Sequence, residues 1–133
     1  MASALYDSGR EGFLDGSIDW DTNDMRAMLV LSSYTFSAAH KFVADLGAVD
    51  NGRTAAFGTK TVTAGVADAA DTTLTATAAT ASKALVVFQH TGSDATARLI
   101  AYIDTATGLP FTPAASQVVP ITWDNSANRI FKL

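Results

Sequence analysis

Cysteine is absent from the 133 residues, and with it go disulfides, thiolate catalysis and thiolate-bound zinc. Glutamate occurs once, as Glu11, so paired glutamates are excluded as an acid–base couple. The two histidines, His40 and His90, sit in no nucleophile motif of the G-x-S-x-G kind. Gly9, Gly12 and Gly16 have the wrong spacing for a phosphate-cradling loop. Nine basic residues are spread along the chain without clustering, which argues against nucleic acid as a partner. No apolar run approaches the roughly 20 residues that cross a bilayer, so no membrane partner is expected. The opening MASALYDSGREGF lacks the basic-then-apolar pattern of a secretion signal. No cofactor, no metal site and no catalytic residue is expected, and the chain reads as a non-enzyme.

What remains is enough for one domain, residues 1–133, with a core of its own. Net charge is −4, and the acidity lies in the first part: residues 1–50 hold eight acids and three bases. Strand signals dominate. Lys83–Thr105 reads as a central antiparallel hairpin, KALVVFQH and ARLIAYIDT joined by the polar TGSDAT. In its second arm Leu99, Ala101 and Ile103 should face one way and Ile100, Tyr102 and Asp104 the other. Residues 25–32 alternate similarly and read as a strand, with a helix as the rival.

Ahead of these, Ser3–Asp15 suits a short helix capped by Ser3 and ended by Gly16. A second helix is expected from Ser37 to a stop at Gly47. Asn51-Gly52 signals a tight turn. Residues 59–82 contain eight Thr and eight Ala, an uncharged bias that favours thin strands over disorder. TKTVTAG should be a strand, VADAAD a bend and TTLTAT the returning strand. TATGLPFTPAAS is a loop, VVPITWD a strand with Pro120 at an edge or bulge, and RIFKL a docked final strand. About seven strands with short helices in the N-terminal third predict an all-β fold, an antiparallel β-sandwich or jelly roll.

Asp15, Asp19, Asp21 and Asp24 could offer oxygens to calcium, but Asp19-Trp20-Asp21-Thr22-Asn23 lacks the turn glycine and twelfth-position glutamate of an EF-hand. Solvated, capped turns are the plainer expectation. Trp20, a large ring in this polar loop, is expected as an interface anchor. With Leu5, Tyr6, Phe13 and Leu14 on the weak first helix, it makes residues 1–24 an interaction segment.

Four segments, GREGFLDGSIDW, KTVTAGVADAAD, RLIAYIDTATGLPFTP and TWDNSANRIFKL, together resemble small structural proteins of tailed bacteriophages. Among these the chain is most similar to capsid decoration (cement) proteins. That resemblance implies a β-rich dimer or trimer bound outside the shell of major capsid protein, made in the host cytoplasm, stiffening the head. It marks no individual contact residue. A tail or head–tail connector subunit is the first rival, and a secreted carbohydrate- or calcium-binding module the second.

Overall fold

The computed structural model describes residues 3–106, 108–127 and 129–133. In chain order these form β1 (Ala4–Leu5), α1 (Asp7–Asp15), β2 (Met25–Leu31), a 3-10 helix (Val43–Leu46), β3 (Asp50–Arg53), β4 (Thr61–Thr63), β5 (Val66–Asp68), β6 (Thr72–Thr75), β7 (Ser82–Gln89), β8 (Leu99–Ile103), β9 (Val118–Ile121) and β10 (Phe131–Lys132). All strand pairs are antiparallel. The main sheet runs β1-β8-β7-β2-β3, with β7 in its middle, and two small sheets, β10-β5-β4 and β6-β9, complete the set.

The apolar run of β7 is explained by burial on both faces. Leu85 and Val87 point to one core, shared with Met25, Ala27 and Leu29 of β2 and filled by Trp20, Phe57, Leu74, Ile121, Trp123 and Phe131 from the small sheets and their loops. Ala84, Val86 and Phe88 point to the other, shared with Met28 and Val30 and closed by Tyr6, Tyr34, Val43, Leu46 and Val49. The protein is an all-β sandwich with a short N-terminal helix.

The alternation expected for β8 fails at one place. Phe88 pairs with Leu99 and Val87 with Ala101, so Ile100 is an extra residue in a bulge. Leu99 therefore joins the core of Phe88, while Ala101 joins that of Val87. The N-terminus covers this outer edge: β1 pairs with Ala101 and Tyr102, then the Tyr6 N–H donates to Ile100 O at 3.0 Å and the Ser8 hydroxyl to Leu99 O at 2.9 Å. The first helix begins at Asp7, not near Ser3, because residues 4–5 are taken by the sheet, and the Ser3 hydroxyl bonds that of Thr105.

Three other expectations are corrected. Asn51-Gly52 makes no tight turn but lies in β3, where the Asn51 carboxamide is buried and bonds Ala78 N–H, the Thr77 hydroxyl and the Ser82 hydroxyl. The turn among the Thr/Ala residues falls at Ala64-Gly65, both at positive φ (53° and 77°), so Val66–Asp68 is a strand instead of a bend, and β6 pairs with β9. The helix expected from Ser37 to Gly47 is reduced to a single 3-10 turn, with the Asp45 carboxylate accepting from Lys41 and Phe42 N–H.

Candidate interaction surface

The loop from Gly16 to Asp24 satisfies its own polar groups, and this frees Trp20 to turn inward. Asp19 N–H donates to Asn23 Oδ1 at 2.8 Å, Asn23 N–H to Asp19 O at 2.9 Å, and Gln89 Nε2 holds both Asn23 Oδ1 and Ser17 O. The Trp20 indole is 4% exposed, donates to Asp68 O at 3.0 Å, and meets Phe131 edge-on at 5.2 Å between centroids. Trp20 is therefore a core residue and not an exposed anchor. Tyr6 is likewise wholly buried, its hydroxyl 3.1 Å from that of Tyr34, which in turn lies 2.8 Å from His40 Nδ1. Burial, then the Tyr34 hydroxyl, push the Tyr6 phenol far above its ordinary range. Leu5 and Phe13 are half-buried, and Leu14 alone of the five expected interface residues stands fully in solvent.

Where Trp20 and Phe131 reach the surface, the core runs out in a shallow hollow of about 310 Å³, lined by Phe13, Gly16, Ile18, Asp19, Trp20, Val62, Gly65, Ala67, Phe131 and Leu133. Phe131, Ala67 and Val62 stand in one row across β10, β5 and β4. The first two are buried, but Val62, on the edge strand, is 57% exposed. Leu133 and Leu14, which follows Phe13 at the end of α1, are 58% and 88% exposed. Two of the four large apolar side chains left in solvent among the described residues, Val62 and Leu133, thus line this hollow, and Leu14 follows the lining residue Phe13 in sequence. Of the expected interface residues Phe13 and Trp20 line the hollow, while Val62 and Leu133 were missed, since a Thr-flanked valine and a terminal leucine carry no local signal of exposure.

The acidic side chains nearby are occupied with one another and with the loop. Ser17 bonds hold the Asp15 carboxyl below its ordinary value, and Asp24 is lowered chiefly by Arg26 at 2.9 Å. A hydrogen bond between the Asp19 and Asp21 carboxyls lowers Asp19 and raises Asp21. No group of three or more metal-ligating side chains comes together among the described residues.

A larger cleft of about 1090 Å³ opens between the main sheet, at Leu29, Leu85 and Ile103, and the stretch Val119–Trp123, with Leu109, Phe111 and Ile130 along its walls. Its charged rim is internally paired. The Asp124 carboxylate accepts from Ser126, and Arg129 binds Asn125 and Asp68. Trp123, in its wall, is 6% exposed and donates to Ala70 O at 3.2 Å, so it offers no face on which a sugar could stack. No described helix is long and apolar enough to cross a membrane. Comparison with protein-family models, curated proteins and solved structures finds no match to this chain.

Proposed function

We propose that this chain is a non-enzymatic structural protein that acts by attachment, as a capsid decoration protein on the exterior of a tailed-phage head. The observation that supports attachment is the exposure of Val62 and Leu133 beside a hollow that uncovers the margin of the core. Apolar side chains exposed beside a hollow in the core margin are where a partner surface would gain most by covering them. The phage assignment draws on the four segments that resemble virion proteins, and the partner it names is the major capsid protein. Identical weak contacts repeated over a shell would hold a small dimer or trimer there by avidity.

Electron micrographs of phage particles assembled with and without this chain test the reading. Expected is added density on the outer shell and greater resistance of the heads to heat. Leu14→Glu, at a position 88% exposed, should leave the free chain folded while weakening particle binding about tenfold or more. Density confined to a ring at the neck or tail would assign the chain to a connector, and absence from particles would remove the virion reading.

A further inference from the structure

We propose that the free edge of β4 receives a second copy of this chain, the two β4 strands pairing antiparallel about a two-fold axis through Val62. This deepens the attachment reading by naming the first partner of that surface. Among the described residues β4 is the unpaired margin of the sheet β10-β5-β4. The two-residue turn at Ala64-Gly65 makes Thr63 and Val66 a hydrogen-bonded pair, so Thr61 and Thr63 direct their backbone groups to β5. The N–H and C=O of Val62 therefore point outward, where a two-fold mate would exchange both bonds with them. Its side chain lies in the row of Ala67 and Phe131, and a facing Val62 would extend that row across the hollow.

Self-complementarity about the axis favours a second copy as the occupant. Sheet edges commonly repel foreign strands with charged side chains, and Thr61-Val62-Thr63 carries none. About the axis Val62 meets Val62, Thr61 meets Thr63, and Lys60 meets Ala64, so no like charges are opposed within the paired strands. Lys60 itself is held by Asn23 O, in the field of Asp21 and Asp24 of its own chain.

The cysteine-free chain gives a clean test. In a hydrogen-bonded antiparallel pair the facing Cα atoms lie about 5.5 Å apart, within the range of about 4.4–6.8 Å that a disulfide spans. Val62→Cys should oxidise to a covalent dimer, whereas Val118→Cys, at an equally exposed position (59%), should stay monomeric. Equal cross-linking of both, or of neither, overturns the proposal, as does cross-linking of Val62→Cys to a different protein in particles. Sedimentation equilibrium of the unaltered chain should give twice 13.9 kDa at tens of micromolar, and Val62→Pro, which removes only an outward N–H, should return it to 13.9 kDa. A monomeric unaltered chain overturns the inference. Should Val62→Pro lose its circular-dichroism signature, the cysteine pair decides alone. A monomer that still decorates particles would sink the two-fold pairing and spare the proposed function, and a dimer absent from particles the reverse.

Discussion

At the scale of the residue, context decides the sign of an effect. Gly9 sits inside α1, where an isolated helix would gain about 1 kcal/mol from alanine. Here a Cβ would stand 2.8 Å from Ile100 Cα and 2.9 Å from Ile100 O, both backbone atoms of the bulge in β8. The helix can lie on the sheet edge only because this side chain is missing. Gly9→Ala is therefore expected to destabilise by about 1–3 kcal/mol, since relieving the clash means moving the helix off the Ser8 and Tyr6 bonds. Calorimetry should show a melting temperature lower by about 4 °C or more. An unchanged or raised value would mean that α1 is not seated on β8.

Between elements, one guanidinium ties two parts of the main sheet together. Arg53, on β3, binds Asp94 of the β7–β8 loop through two bonds at 2.8 and 2.9 Å, holds Asp50 through Nε, and lies over the Phe88 ring at 5.4 Å. Hydrogen bonds from Arg53 are the largest cause holding the Asp94 carboxyl below its ordinary value. The unfolded chain thus takes up a proton near pH 4 before the folded one does. Stability from this pair is complete above that pH and is lost as pH falls through the lowered folded value. With the Asp94 side chain 50% exposed the loss amounts to about 1 kcal/mol or less. Asp94→Asn should melt slightly lower at pH 7 and show a shallower fall in melting temperature between pH 5 and pH 3. An identical slope in both proteins would remove the pair from the acid transition.

Those same elements mark how far the sequence could be read. The hairpin of β7 and β8, the strand at residues 25–31, the docked last strand and Pro120 on a two-stranded sheet were legible, because alternation, chain breakers and apolar content are local signals. Asn51-Gly52 misled because the partners that bury Asn51 lie at Thr77–Ser82, far along the chain. The Ile100 bulge was invisible for the same reason, since Gly9, the residue that lies against it, is far along the chain. Of the residues that line the hollow, Phe13 and Trp20 were among those singled out in the sequence. Trp20 was misplaced because a polar loop that bonds to itself looks, in sequence, like a solvated one.

For the whole molecule, the decisive junction is the meeting of its two ends. Phe131, two residues from the last, packs on Phe13 of α1 at 5.7 Å and on Trp20 at 5.2 Å between centroids. The backbone around it closes the small sheet, with Ile130 N–H on Ala67 O and Leu133 N–H on Gly65 O. One side chain thus joins the first helix, the acidic loop and the sheet that carries Val62. Phe131→Ala should cost about 3–5 kcal/mol, a large share of the roughly 5–15 kcal/mol that holds a domain of this size. Loosening should also reach Trp20, whose fluorescence is expected to shift to the red as water enters beside the indole. The sheet β10-β5-β4 should then lose hydrogen-exchange protection ahead of β2 and β7, whose ladder lies at the centre of the fold. If the melting temperature, the tryptophan emission and the exchange pattern all stay as they were, the last strand is an appendage, and the hollow beside it is not the margin of the core.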